Sequence, residues 1–238
     1  MIRKTYVCPR CSSSNLRKNG MDAKGRQKYH CKDCARYGQL EKAPRYPEER
    51  KTEILRAYRE RSSLRGLERI FGVARQTVAL WLKEEFANLP SNESTPVEAE
   101  PNDELELDEM WSFVQCLDNK RWIWIALCKR TRQVVAWVVG DRSEEACRRL
   151  WMEIPETYKH CCRYSDFRKA YQAVIPDEQH RAVGKETGLT NHLERFNNVI
   201  RQRLACFVGK TLSFSKSEWW HYHILKWFII EYNLSVVI

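Results

Sequence analysis

No apolar run in the 238 residues reaches the roughly 20 residues that a membrane-spanning helix needs. The opening Met1-Ile2-Arg3-Lys4-Thr5-Tyr6 has no apolar signal region. A membrane or secreted protein is therefore not expected, and the chain reads as soluble and cytoplasmic. From Ala87 to Ser112 there is no Lys or Arg at all, against eight acidic residues. Within that stretch, residues 88–103 hold three prolines, small polar residues and acids. Such a composition builds no core, so it predicts an acidic linker that tethers its flanks without packing against them.

The flanks have the opposite sign. Residues 1–86 carry 21 Lys/Arg against 10 Asp/Glu, and residues 113–238 carry 20 against 13. Two basic blocks of this size point to a polyanionic partner, most simply nucleic acid; the alternative is a basic surface with no partner. Hydrophobic residues at 43% and aromatics at 11% are enough to fill a core.

Ten cysteines in a cytoplasmic chain argue for metal sites or buried thiols over disulfides. Cys8-Pro9-Arg10-Cys11 and Cys31-Lys32-Asp33-Cys34 are two Cys-x-x-Cys knuckles with 19 residues between them. Each knuckle puts two thiolates on one ion, and together they complete a tetrahedral Zn²⁺ site with no open position, hence a structural one. A redox role would need one knuckle in a thioredoxin-like setting, which is missing. Residues 1–42 therefore read as a zinc ribbon, with a turn at Asn19-Gly20 and a short strand over residues 26–30. Its basic side chains Arg10, Arg17, Lys18, Lys24, Arg26 and Lys28 suit a phosphate backbone. The other six cysteines (Cys116, Cys128, Cys147, Cys161, Cys162 and Cys206) lie among apolar residues and read as core thiols, with Cys161-Cys162 as a ligand pair the lesser alternative.

Residues 47–87 predict three helices. The first opens on Pro47-Glu48-Glu49. Ser62-Ser63 caps a second, with Leu64, Leu67, Ile70 and Phe71 inward. Gly72-Val73 turns into a third, from about Ala74 to Phe86, with Ala74, Val78, Trp81 and Leu82 inward. This is a helix-turn-helix layout. In it Arg75, Gln76 and Thr77 approach base edges of DNA and Lys83 meets phosphate; the alternative is a three-helix bundle without a DNA role.

Residues 104–238 change character. Apolar runs at 105–115, 121–128 and 134–139 predict three strands joined by turns at Asp118-Asn119 and Arg130-Thr131-Arg132. A helix over 143–153 capped by Ser143, a strand over 161–165, a helix over 167–174, a strand near 180–183, a helix over 191–203 and a last helix over 217–233 complete the domain. This order is that of a ribonuclease-H-like α/β catalytic domain, making the whole a multidomain α+β chain. In such a sheet the first and fourth strands are neighbours, so Asp108 and Asp166 reach one spot. Glu194, on the helix over 191–203, completes a carboxylate triad. Oxygen ligands of this kind suit two Mg²⁺ ions, with Mn²⁺ the alternative. Glu194 shares a helix face with Asn198 and Arg201. Glu106, Glu109, Asp177, Glu178 and Glu218 are competing acids. Arg195, Asn197, Arg201 and Arg203 surround Glu194 with groups that hold phosphate.

The runs Leu107-Asp108-Glu109-Met110-Trp111-Ser112-Phe113, Tyr164-Ser165-Asp166 and Leu193-Glu194-Arg195-Phe196-Asn197, continuing to Arg201, Arg203 and Lys210-Thr211-Leu212-Ser213-Phe214-Ser215, resemble the Asp-Asp-Glu transposases of the bacterial insertion sequence one family. The zinc ribbon and helix-turn-helix are similar to that family's DNA-binding part. The resemblance implies a transposase that binds the terminal inverted repeats of a mobile element, cuts its 3′ ends and transfers them to target DNA. Asp108, Asp166 and Glu194 would hold the metals, and Arg195, Asn197, Arg201, Arg203 and Lys210 would position DNA. Two ends held at once imply a homodimer or larger assembly on double-stranded DNA in the nucleoid. Trp219, Trp220 and Trp227 would pack on the domain or form that interface. A DNA-binding regulator without catalysis, and a nuclease of the same fold that cuts without joining, are the alternatives.

Overall fold

A computed structural model describes residues 6–23, 25–40 and 46–236. Lys24 and residues 41–42, the expected edge of the ribbon, lie outside the described residues. The chain divides into two compact units, residues 1–50 and 51–238.

The first unit is a three-stranded antiparallel sheet in the order β1-β2-β3, with β1 at Leu16–Met21, β2 at Gln27–Cys31 and β3 at Tyr37–Gly38. Its only buried apolar side chains among the described residues are Cys8 and Cys31. Asn19-Gly20 does not form the expected turn. It lies inside β1, where the register against β2 slips between Lys18 and Met21 and Gly20 takes φ 68°. That is a bulge, which glycine accommodates without a Cβ penalty. The chain reverses instead at Asp22, whose carbonyl accepts from Gly25 N–H at 3.0 Å.

α1 (Glu48–Tyr58) begins at the end of the first unit and runs into the second, where α2 (Leu64–Phe71) and α3 (Arg75–Ala87) follow. Ser63 caps α2 by accepting from Gly66 N–H at 3.0 Å. Gly72, in the left-handed region at φ 65°, ends α2, and its N–H donates to the Glu68 carbonyl. Leu67 of α2 and Val78, Leu82 and Phe86 of α3 are buried. Ile70, expected inward, is 68% exposed, and Ala74 is an exposed N-cap.

A five-stranded sheet comes next, built from β4 (Glu104–Phe113), β5 (Lys120–Cys128), β6 (Val134–Gly140), β7 (Cys162–Ser165) and β8 (His180–Ala182). The strand order is β6-β5-β4-β7-β8. β6, β5 and β4 are antiparallel neighbours, whereas β4-β7 and β7-β8 are parallel. The first and fourth strands thus pair as the sequence predicts. α4 (Glu144–Glu153) and α5 (Lys169–Val174) pack on one face over Leu105, Leu107 and Trp124 of the sheet, α5 through Ala170 and Tyr171. Ser143 caps α4, accepting from Ala146 N–H at 3.3 Å. α6 (Asn191–Arg203) packs against β4 and β5, and α7 (Glu218–Val236) contacts β6 and α3.

Two expectations are corrected here. The segment 88–103 packs onto the sheet domain. Thr95 and Asp103 are buried. The fully buried Asn233 donates to Thr95 Oγ1 at 2.9 Å, Val97 N–H donates to Gln133 at 2.8 Å, and Tyr158 Oη donates to the Val97 carbonyl at 2.6 Å. The segment has no core of its own, but its backbone polar groups find partners on the domain. Helices α1 and α3 also pack on it. Phe86 of α3 sits 5.7 Å from Trp220 and 6.0 Å from Trp227 of α7, and Tyr58 stacks on Trp227. The tryptophans of α7 therefore serve packing within the chain. Among the six cysteines outside the ribbon, Cys116 is exposed, on the turn after β4, and is no core thiol.

Candidate active site and metal centre

In the first unit, two knuckles bring four thiols together. The sulfur atoms of Cys8, Cys11, Cys31 and Cys34 all lie within 4.8 Å of one another. Cys8 and Cys34 sulfurs are 3.6 Å apart, as are those of Cys11 and Cys31. A tetrahedron with Zn–S bonds of about 2.3 Å has edges of about 3.8 Å. The four-sulfur donor set and its spacing fit zinc.

In the second unit the site is built on β4. Residues two apart on a strand share a face, and Glu106 and Asp108 both turn toward α6. Glu106 is fully buried. One of its carboxylate oxygens is 2.5 Å from His192 Nδ1, and the other accepts from Leu193 N–H at 2.7 Å. The carboxylate thus satisfies an N–H of the first turn of α6, where a negative charge is favourable. One turn further on, Asn197 Nδ2 donates to Asp108 Oδ2 at 2.9 Å. These two attachments fix α6 on β4 and bring Glu194, which lies between them, to the same edge of the sheet.

Asp166 follows directly on the end of β7. β4 and β7 run parallel with Glu106 opposite Tyr164, so Asp108 and Asp166, each two residues on, stand at the same level. Asp166 is 45% exposed and accepts from Arg168 N–H at 3.1 Å. Burial pushes the Asp108 carboxyl up to about 6, and the charges of Glu109, Asp166 and Glu194 push the same way. A carboxylate destabilised by its acidic neighbours is one that a cation stabilises. The four cysteines are the only set of three or more such ligands among the described residues whose atoms all lie within 4.8 Å. The three carboxylates are thus more widely spread. An all-oxygen donor set of this kind would suit a hard divalent cation such as Mg²⁺ or Mn²⁺.

The competing acids have other partners. Glu109, on the opposite face of β4, is buried and held by Arg142 at 3.0 Å, by Tyr171 Oη at 3.0 Å and by Arg168. Glu218 pairs with Arg121 at 2.5 Å. Glu178 is exposed, and the Asp177 side chain lies outside the described residues. Glu194 is half-buried, and its side chain makes no hydrogen bond or ion pair among the described residues.

The structure distributes the expected DNA contacts unevenly. Arg195, Arg201 and Lys210 are exposed. Asn197 is buried and committed to Asp108, its Oδ1 left without a partner. Arg203 is half-buried: it reaches Glu60, before α2, at 2.8 Å and lies over the Phe228 ring. Glu194 and Asn198 line one groove; Arg201, about two turns beyond Glu194 and close to the same helix face, is not among its lining residues. On α3, Gln76 is exposed and Thr77 half-buried, Arg75 pairs with Glu68 at 2.9 Å, and Lys83 lies 5.9 Å over the Trp219 ring. Sequence reasoning weighed Glu106 only as a rival metal ligand and missed its attachment to α6. The signal was there in Glu106 and Asp108 alternating on one strand and in a His-Leu pair opening the helix.

Comparison with known proteins then decides the family. The family model for the IS1 transposase matches residues 104–234, a span that contains all three carboxylates. The chain belongs to the IS1 transposase family. It is 33% identical over 124 residues to the insertion element iso-IS1n protein InsB of Shigella dysenteriae, a match covering 52% of this chain and 92% of that protein. It is 32% identical over 112 residues to the insertion element IS1 protein InsB of Shigella flexneri, covering 47% of this chain and 82% of that protein. The insertion element IS1 4 protein InsB of Escherichia coli K12 is likewise 32% identical, over 65% of its length. No helix among the described residues of this IS1-family chain is long and apolar enough to cross a membrane.

Proposed function

We propose that this chain is a cytoplasmic DNA transposase with a ribonuclease-H-like catalytic domain, whose Asp108, Asp166 and Glu194 bind two Mg²⁺ ions. It binds the terminal inverted repeats of an insertion sequence and catalyses 3′-end cleavage and strand transfer. The observation that carries the reading is the arrangement on β4. A central aspartate feels the charges of two other carboxylates, brought to it by the neighbouring parallel strand and by a helix fixed to the same strand.

Bound metal would supply an activated attacking oxygen and charge stabilisation for the leaving oxygen. The rest is the work of the chain. In the first step water attacks the phosphodiester at the element's end, the bond to the 3′ oxygen breaks, and that oxygen leaves as a 3′-hydroxyl. In the second step this hydroxyl attacks a target phosphodiester, forms the new bond and displaces a target 3′ oxygen. Asp108 is the central ligand, and Asn197 holds it in place. Arg195, Arg201 and Lys210 stand exposed for the DNA backbone. Zinc holds residues 1–42 folded. The first turn of α3, with Gln76 exposed, meets bases in the major groove as a helix-turn-helix. Two ends are held by two or more copies of the chain.

The test is a reaction of purified protein with labelled inverted-repeat ends, a target plasmid and Mg²⁺, beside Asp108→Ala. Joined products from the unsubstituted protein alone support the transposase. Cleavage without joining identifies a nuclease of this fold. Tight binding without cleavage, unchanged by the substitution, leaves a DNA-binding regulator and removes the catalytic reading.

A further inference from the structure

One wall of α6 has no part in the attachments to β4. It faces a groove of about 1030 Å³ that contains Glu194, Arg195, Asn198 and Gln202 of α6 and Arg132 of the turn between β5 and β6. The four α6 residues recur at helical spacing and form a stripe about 12 Å long. That length matches the axial rise of three to four nucleotides. Glu194 is the one carboxylate among the groove's lining residues, and it stands at the catalytic end of the stripe.

Charge is distributed in the groove in a particular way. Three basic residues sit on the β5-β6 turn. Lys129 pairs with Glu104 at 2.7 Å, and Arg130 pairs with Asp103 at 2.6 Å and Glu100 at 3.0 Å. Arg132 is exposed and has no ion pair or side-chain hydrogen bond among the described residues. It also holds φ 63°, a backbone region that residues other than glycine and asparagine rarely adopt. Arg195 is likewise exposed with no acidic partner among the described residues. Arg132 acts on the buried Glu106 carboxyl only at a distance, and two exposed guanidinium groups without a direct ion-pair partner beside two side-chain amides make a surface suited to phosphate and sugar oxygens.

We infer that this groove is a track for the phosphodiester backbone of a DNA strand passing the catalytic centre, with Arg132 and Arg195 on its phosphates and Asn198 and Gln202 on its phosphate or sugar oxygens. The inference rests on the transposase reading for what lies at the Glu194 end, and it specifies the face of α6 that the strand follows. Arg132 is then a DNA-binding residue outside the three sequence runs that carry the family resemblance.

The experiment is equilibrium binding of the full chain to a fluorescent duplex bearing the inverted repeat, and to a generic duplex of equal length, across a salt series. Arg132→Asn removes the charge with a residue that tolerates the left-handed backbone, and Arg195→Gln removes the other. Arg148→Ala, on α4 outside the groove, is the control. Each single substitution is expected to weaken binding to both duplexes by roughly threefold to tenfold and to lower the salt slope by about 0.9, the double by about 1.8. Unchanged affinity and slope for both singles overturn the inference. If wild type still joins ends in that case, the transposase stands without this track. If the slopes fall but wild type joins nothing, the track stands and the transposase reading fails. Both side chains are exposed, so melting temperatures should match wild type; where Arg132→Asn lowers its own, Arg195→Gln carries the result.

Discussion

Asp108 and His221 are titratable side chains that burial moves in opposite directions. Asp108 is pushed up, because leaving water disfavours its anion and three further carboxylates add to the cost. His221, fully buried on α7, is pushed down to about 4, because burial disfavours its cation. Its ring lies 4.6 Å from that of Phe207, its Nδ1 is 3.2 Å from Ser215 Oγ, and Glu218 and Arg121 act on it with opposite signs. The folded protein therefore keeps His221 neutral in a range where the unfolded chain protonates it. The stabilisation is full above about pH 6.5 and is lost as pH falls from there toward 4, by about 3 kcal/mol in all. Denaturant unfolding at several pH values should show this loss, and His221→Phe should flatten the curve in that window. Nothing in the sequence marks His221 as buried, since the burial comes from Phe207 folding back on α7. By contrast the places of Asp108 on the first strand of the sheet domain, Asp166 just past the fourth and Glu194 on α6 were legible. Each sits at a predictable place on a strand end or helix, and the pairing of first and fourth strands follows from the order of elements alone. The attachments of Asn197 to Asp108 and of Arg203 to Glu60 were not legible, for one shared reason. Helical periodicity tells which residues share a face, but not that β4 lies against one face and the Glu60 side chain against another.

Among the elements, α7 was expected to pack on the sheet domain or form an interface between subunits. In the structure it joins two parts of one chain. Phe86 of α3 is buried among Trp219, Trp220, Trp227 and His223, Arg59 reaches Glu231 at 2.8 Å, and the Arg61 N–H donates to the Arg203 carbonyl at 2.8 Å. Phe86→Ala should cost about 3–5 kcal/mol, the range for deleting a buried phenyl ring. The loss should appear in denaturant unfolding, and limited proteolysis should become faster between residues 59 and 103. Equal stability and equal proteolysis would show that α1–α3 stand apart from the sheet domain. The 88–103 segment was misread for a related reason. Low hydrophobicity excludes a core made by that segment, but it does not exclude docking through backbone hydrogen bonds and a few buried polar side chains such as Thr95 and Asp103. Strand and helix order over residues 104–236 was legible because its apolar runs are long and separated by turns. β1 was not, because Leu16–Met21 is exposed over most of its length and offers no apolar alternation.

At the scale of the whole molecule, two units are stabilised by different physics. Residues 51–238 contain a hydrophobic core on both faces of a five-stranded sheet. Residues 1–50 bury almost no apolar surface among the described residues, so a metal held by the four cysteines would supply their folding free energy. A strong chelator should release one zinc per chain and unfold the first unit alone, leaving the main melting transition in place. Cys34→Ser should do the same without chelator, and atomic absorption with calorimetry reads both. The central claim is that Asp108, Asp166 and Glu194 act as one metal-binding centre. Its most direct test is the rate of joining of pre-cut ends in Mg²⁺ by Asp108→Asn, Asp166→Asn and Glu194→Gln, with binding to the same ends measured in parallel. The account predicts that each loses joining by at least about a hundredfold, the scale of losing one pre-organised electrostatic group, while binding and fold stay intact. Joining at near the wild-type rate by any one of the three would contradict it.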